Sequence, residues 1–286
     1  MPRRAHIALL AAFGSAAALV ALWVLAFHSS AARWGDAAAL EGFVGLRRPR
    51  TTPLATGIAQ FGDPAPFLLL AGALLLVALA RERPRLALTI PVILAGANAT
   101  TQILKPLLAE PRFAEYLGGG QIAAASWPSG HATASMALAL CVVLVAPPRL
   151  RPTAAVAGVA FAVAVSFSLL SLGWHFPSDV LGGYLVAGGW TLAGLGALWT
   201  ADARWPAHTG REAGRAAMAR AGDALAPVAI AAGLVALVVL ALILHAPAGV
   251  ADYLRDHTVF VAGALAIVTL GLALAAGLAT ALRRWR

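Results

Sequence analysis

Apolar stretches of about 20 residues recur along the whole chain, and each is long enough to cross the roughly 30 Å hydrocarbon core of a membrane. Only 12% of the 286 residues are charged, about half the fraction that a soluble domain carries. The excess apolar surface must therefore face lipid. We predict an all-α fold, a polytopic transmembrane helix bundle. The eight predicted spans are roughly 6–27, 65–81, 86–105, 131–146, 153–173, 177–199, 224–245 and 258–281.

The first span has an alternative interpretation. Arg3 and Arg4 precede an apolar stretch, as they would in a signal peptide, but the stretch exceeds the usual length of about 7–15 residues. Its cleavage would also leave an odd number of spans. With the N-terminus in the cytoplasm, fourteen arginines lie on that side and seven basic residues on the other, as the positive-inside rule favours. We therefore expect both termini in the cytoplasm and the protein in the cytoplasmic (inner) membrane.

The net charge of +9 is explained by this topology. The basic residues lie between apolar runs, where they meet anionic headgroups. We therefore expect membrane lipids as partners and no nucleic acid. The chain divides into three predicted parts. Residues 1–200 form a six-span core with extracytoplasmic loops at 28–64 and 106–130, residues 201–223 a basic cytoplasmic linker, and residues 224–286 a C-terminal helical pair.

Lys105 ends the third predicted span, and Arg112 follows it in the loop. Lys105 is the only lysine of the chain, since the other twenty basic residues are all arginine. The use of lysine at this one position, in a chain that otherwise uses arginine, indicates a specific role for an amine there. A lysine whose amine simply reaches the membrane interface is the alternative interpretation.

The sequence Trp127-Pro128-Ser129-Gly130-His131 opens the fourth span. Unpaired backbone N–H groups and the helix dipole favour an anion at such a helix start. His131 lies there at the water interface, where it can exchange protons with a ligand. Ser129 is also a natural N-cap, and helix capping alone would explain it.

His175 and Asp179 lie four residues apart where the fifth and sixth spans join, and Pro177 suits the first turn of a helix. Asp179 is the only carboxylate inside any predicted apolar run. A carboxylate at this spacing can hold an imidazole in one tautomer and stabilise its cation, as in a nucleophile–base arrangement. The alternative is a pair that merely caps the helix.

These features converge on one predicted extracytoplasmic face. Cations and backbone donors suit a phosphoryl group, whose transfer depends mainly on positioning and charge stabilisation. The sequence has no HExxH motif and no Walker-type loop, and its one cysteine, Cys141, lies inside an apolar run. We therefore expect no metal and no cofactor, which favours a covalent phosphohistidine route.

At these residues the sequence resembles the type-2 phosphatidic acid phosphatase family of membrane lipid phosphatases. The family's signatures Lys-x6-Arg-Pro, Pro-Ser-Gly-His and Ser-Arg-x5-His-x3-Asp are matched in order over roughly residues 54–200. The resemblance implies that His175 is the nucleophile, Asp179 its orienting partner and His131 the acid that protonates the leaving oxygen. It also implies that the phosphate is held by the remaining motif residues, namely Lys105, Arg112, Ser129 and the Gly130 amide.

Two positions depart from the signatures. Phe113 replaces a proline, and Leu169, after Ser168, replaces an arginine that would be one bidentate phosphate donor. Either an extracytoplasmic arginine from another segment replaces it, with the cluster at 47–50 the leading candidate, or the site is weak.

The function implied by the resemblance is removal of a phosphoryl group from a lipid phosphate at the outer face of the membrane. Candidate substrates are polyprenyl (pyro)phosphates, phosphatidic acid and phosphatidylglycerol phosphate. The alternatives are a degenerate member that binds or moves a phosphorylated lipid without hydrolysing it, and a lipid phosphotransferase.

Overall fold

The regular structure of the chain is helical throughout residues 1–205 and 247–283, the ranges that the computed structural model describes. The helices are α1 (Arg3–His28), α2 (Ser30–Val44), α3 (Thr52–Ala59), α4 (Pro64–Ala80), α5 (Pro84–Leu107), α6 (Gly130–Val145), α7 (Arg151–Ser171), α8 (Pro177–Arg204), α9 (Pro247–Asp256) and α10 (Thr258–Ala281). Prolines occupy the first turns of α4, α5 and α8, where a missing N–H costs no helical hydrogen bond. The predicted all-α fold is confirmed.

Within residues 1–205 and 247–283, six helical segments are long and apolar enough to cross a membrane, and they contain α1, α5, α6, α7, α8 and α10. Helices α3 and α4 meet at a bend of 54° and add a seventh if they are counted as one span. Seven of the eight predicted spans thus coincide with helices. The predicted span at 224–245 lies outside the described residues. The chain is a multi-pass membrane protein.

Helix α6 forms the centre of the bundle, because nearly all of its side chains are buried. It packs against α4, α5, α7, α8 and α10. Small residues permit close approach: a Cβ on Gly183 of α8 would lie 2.7 Å from the Ser129 carbonyl oxygen, just before α6. A Cβ on Gly158 of α7 would lie 3.0 Å from the Cβ of Ala139. Backbone packing therefore holds the starts of α6 and α8 side by side.

Helix α2 lies within the segment 28–64, which the sequence predicts to be an extracytoplasmic loop. It packs against α1, α7, α8 and α10. The ring of Phe43 meets Phe167 of α7 at 5.1 Å and Phe260 of α10 at 4.6 Å between centroids. This aromatic contact fixes α2 against the bundle, so that its polar residues can reach the starts of the spanning helices. The division into core, linker and C-terminal pair stays a prediction.

Candidate active site

His175 and Asp179 lie one helical turn apart where α8 begins. The Phe176 N–H donates to Asp179 Oδ2 at 3.0 Å, so the carboxylate caps the helix. The same oxygen lies 3.2 Å from His175 Nδ1. Asp179 is fully buried and His175 nearly so. Because a carboxylate accepts hydrogen bonds, it favours the proton on Nδ1 and leaves the lone pair on Nε2.

Arg112 joins this pair from the loop after α5. Its Nη2 donates to Asp179 Oδ1 and, at 3.1 Å, to Ser126 Oγ, while its Nη1 donates to Ser178 Oγ at 2.9 Å. The guanidinium carbon lies 4.2 Å from the centroid of the Phe176 ring, in cation–π contact. The Arg112 side chain is only 7% exposed. The guanidinium predicted to hold phosphate is therefore bound to Asp179 in this structure.

Ser129 links the start of α6 to the start of α8, because its N–H donates to the Asp179 carbonyl oxygen at 2.9 Å. Its hydroxyl accepts from the Ala132 N–H at 3.4 Å, so Ser129 does serve as the helix cap. A Cβ on Gly130 would lie 3.6 Å from Lys105 Nζ, which places the only lysine beside this helix start. An ammonium next to N-terminal backbone N–H groups is an arrangement that favours an anion.

His131 lies on the same helix start but faces a different carboxylate. Its Nε2 lies 3.0 Å from Asp63 Oδ1. The backbone of Gly62 packs directly on the imidazole, since a Cβ there would lie 2.5 Å from the ring Cδ2. The Trp174 ring, next to His175 in the chain, meets the His131 ring edge-on with 6.5 Å between centroids. Each of the two motif histidines therefore has a carboxylate partner of its own.

Residues 86–205 match the family model of the PAP2 superfamily, and this segment contains all seven predicted site residues. Over this segment the chain is similar to the PAP2 superfamily. The resemblance seen in the three signatures is thereby confirmed.

A similar fold is found among solved structures. The chain is similar to the first transmembrane PAP2 type phosphatidylglycerolphosphate phosphatase from Bacillus subtilis, with 23% sequence identity and a TM-score of 0.52. The match covers 70% of this chain and 98% of that chain, and at this identity it shows a shared fold. A search of curated proteins found no match.

Two carboxylates of the site lie outside the PAP2-matched segment, and the sequence interpretation missed both. Asp36 of α2 accepts from Arg112 Nη1 at 3.0 Å, from the Ser178 N–H at 2.9 Å and from Ser178 Oγ at 2.5 Å. Burial raises the pKa of Asp36 to about 6, although the charge of Arg112 acts in the opposite direction. The other is Asp63, at the start of α4. Neither lies in an apolar run or a motif, so only tertiary packing identifies them.

Leu169, at the position of the PAP2 signature arginine, is fully buried against Ala59 and Val165. Arg47 belongs to the cluster at 47–50, the leading candidate to replace that arginine, and it contacts the end of α7 just after Leu169. Its Nε donates to the Ser171 carbonyl oxygen at 3.2 Å, and its Nη2 donates to that of Leu172. Arg47 thus holds the end of α7, directly before the segment that carries the PAP2 histidine. Its contact with phosphate stays a prediction.

A cavity of about 430 Å³ opens beside Arg112 and Asp36. Phe176 also lines it, so the cavity reaches the helix start that carries the PAP2 histidine pair. Two largely exposed aromatic side chains, Trp34 and Phe113, lie on its wall. Phe113 is the residue that replaces the signature proline, and here it adds apolar surface next to the site.

Proposed function

We propose that the protein is a lipid phosphate phosphatase, which works through a phosphohistidine at the extracytoplasmic face and needs neither metal nor cofactor. The observation that carries the proposal is the contact of His175 Nδ1 with Asp179, at 3.2 Å. It leaves Nε2 as the nucleophile at the same end of the bundle as the Ser129 helix start. The match of residues 86–205 to the PAP2 superfamily model supports the reaction class.

In the proposed reaction, His175 Nε2 attacks phosphorus while the bond from phosphorus to the lipid oxygen breaks. His131 gives its proton to the departing lipid oxygen, and the Asp179 carboxylate stabilises the positive imidazole of His175. Water then attacks the phosphohistidine and loses its proton to His131. Inorganic phosphate leaves, and both histidines return to their starting states. Asp63 orients His131 through its 3.0 Å contact with Nε2.

The transferred phosphoryl group needs donors on its oxygens. We assign this role to the Gly130 N–H, the Ser129 hydroxyl and the ammonium of Lys105, which lie together at the start of α6. Arg112 is the fourth proposed donor. Because its Nη1 and Nη2 already bond protein oxygens, it must exchange or share one of these contacts to reach phosphate.

Two features support a lipid substrate at the extracytoplasmic face. The arginine distribution favours a cytoplasmic position for both termini and for the turn between α4 and α5, and this orientation puts the starts of α6 and α8 on the other side. The similar Bacillus subtilis structure is that of a phosphatidylglycerolphosphate phosphatase. Candidate substrates are phosphatidylglycerol phosphate, phosphatidic acid and polyprenyl (pyro)phosphates.

Phosphate release by purified protein in detergent, from a panel of these lipids, tests the proposal. We expect turnover that survives EDTA and is abolished in His175→Ala. The matched control is His28→Ala, because His28 lies at the same end of the bundle but contacts only Trp23 among the described aromatic rings. Rapid quenching with radiolabelled lipid should trap an acid-labile, base-stable phosphoprotein. Loss of turnover in EDTA, restored by a divalent ion, would overturn the phosphohistidine scheme.

Two other functions use the same site. A protein that binds or moves phosphorylated lipids without hydrolysis is favoured by Leu169, which supplies no phosphate donor. A lipid phosphotransferase would pass the phosphoryl group to an alcohol instead of water. The panel distinguishes them, because the binder releases no phosphate from any lipid and the transferase requires an added acceptor alcohol.

A further inference from the structure

The end of the bundle opposite the candidate active site has a groove between α7 and α10, with a volume of about 370 Å³. Arg151 and Ala155 line it from the first turns of α7, while Leu272, Ala279 and Arg283 line it from the last turns of α10 and just beyond. Position 151 precedes His175 by more than the length of α7, which at 21 residues is about 30 Å long. The groove is therefore separate from the phosphoryl-transfer site.

The long side of the groove is apolar. The α10 residues that line the groove recur every three or four positions from Leu272 to Arg283. They therefore form one face of the helix, about 16 Å long. Small side chains such as Ala155 and Ala279 form much of the lining and leave the space between the helices open. The flanking Val156 and Leu272 are 60% and 45% exposed. These dimensions and this chemistry suit a hydrocarbon chain that enters from the bilayer.

One end of the groove is cationic. Arg151 and Arg283 lie on its wall, and Arg81 and Arg149 are near enough that their charges act on one another. Arg81 is only 4% exposed, and its Nε and Nη1 have no hydrogen-bond partner in the structure, within the ranges described. A cation buried in this way is stabilised by a neighbouring anion.

The nearby acidic side chain of α8 is already engaged, because Asp202 Oδ1 accepts from Arg85 Nη1 at 2.9 Å. We propose that the groove binds an anionic glycerophospholipid. Its phosphodiester contacts Arg283, with Arg81 behind it, and one acyl chain lies between α7 and α10. Basic pockets between transmembrane helices bind acidic headgroups by the same physics. This lipid is a structural ligand and does not depend on the proposed phosphatase activity.

Photo-crosslinking in nanodiscs tests the site. The discs are phosphatidylcholine with a small fraction of phosphatidylglycerol that carries a diazirine in one acyl chain, and labelled peptides are mapped by mass spectrometry. We expect enriched labelling of 152–156 and 272–280. Excess unlabelled phosphatidylglycerol should compete, whereas phosphatidylcholine and inorganic phosphate should not.

Two variants separate charge from shape. Arg283→Gln removes an exposed cation and should lower the labelling about fivefold, the factor expected for one arginine at a membrane surface. Ala279→Trp fills the groove without a change in charge and should abolish labelling there. The matched control is Arg204→Gln, because Arg204 ends α8, is exposed and stacks on Trp205. It should label like the wild type.

Equal competition by phosphatidylcholine, uniform labelling of all helices, or full labelling in both Arg283→Gln and Ala279→Trp would overturn the proposal. The rival occupant is the predicted span 224–245, which lies outside the described residues. If it fills the groove, a cysteine at Ala276 should form a disulfide with a cysteine in that span, and the lipid label should be missing from 272–280. That combined result would also refute lipid binding.

Discussion

The substitution Asp36→Asn tests the role of one of the two carboxylates that the sequence analysis missed. The Asp36 side chain is 8% exposed. Its two oxygens accept from Arg112 Nη1 and from the backbone N–H and the hydroxyl of Ser178. An asparagine keeps one acceptor oxygen and turns the other into a donor. The variant therefore removes a buried charge and leaves the Arg112 guanidinium with Asp179 as its only carboxylate partner among the described residues.

The sign of the pH effect follows from the pKa of Asp36, which burial raises from 3.8 to about 6. The folded protein favours the protonated carboxyl, so the contribution of Asp36 to stability is present below pH 4 and is lost as the pH rises through 6. A difference of about 2 pKa units corresponds to roughly 3 kcal/mol. We expect the stability of Asp36→Asn relative to the wild type to increase by up to that amount between pH 4 and pH 7.

Reversible SDS titration of purified protein at pH 4, 5, 6 and 7 measures this difference, and subtraction of the two curves cancels every other titrating group. Asp252→Asn is the matched control. Asp252 is largely exposed in a surface pair with Arg255, so its curve should stay parallel to that of the wild type. Parallel curves for Asp36→Asn would refute the reasoning. A wild type that gains stability over the variant as the pH rises would show that the charge of Arg112 outweighs burial.

Four further outcomes are expected. His131→Ala should lower turnover of lipid substrates by about 10²–10⁴-fold but affect aryl phosphates much less, because a good leaving group needs no proton. Leu169→Arg should reduce thermal stability without gain of phosphate release, since the new cation enters the apolar cluster around Leu169; higher activity would contradict this. Arg47→Ala should reduce kcat by up to about 10²-fold through displacement of the segment before the nucleophile, with partial rescue in Arg47→Lys; unchanged kcat would remove Arg47 from the site. In intact cells, impermeant thiol reagents should label a cysteine at Gly119 but not one at Arg83, and the reverse pattern would invert the proposed orientation.

The spanning helices could be predicted because each is encoded locally. An apolar run of sufficient length and a proline at its start define α4, α5 and α8 without any knowledge of their neighbours. The three signatures are local in the same sense, since His175 and Asp179 meet within a single helical turn. Lys105 reaches Gly130 because two antiparallel spans end at the same membrane face.

The missed residues depend on contacts that no local pattern records. Asp36 reaches Arg112 because α2 is fixed by the contacts of Phe43 with α7 and α10, which join residues more than a hundred positions apart. At Leu169 the local pattern shows the change of residue but not its surroundings. The signature identifies a missing guanidinium, but only the packed structure shows that this position now belongs to an apolar cluster. A substitution that restores the motif would therefore not restore its environment.

The charges of the site constrain how it can accept a phosphate. Asp36 and Asp179 flank the single guanidinium of Arg112, so this group of three carries a net negative charge when both carboxylates are ionised. A phosphate that approaches Arg112 is repelled by that excess, and the attraction of the Lys105 ammonium opposes this repulsion. Protonation of Asp36 removes the excess and frees one donor of Arg112 from its ionic partner. By the reciprocity of linked equilibria, an anion bound at Arg112 must in turn raise the pKa of Asp36. We therefore expect Asp36, contributed from outside the PAP2-matched segment, to couple phosphate binding to proton uptake in the proposed reaction.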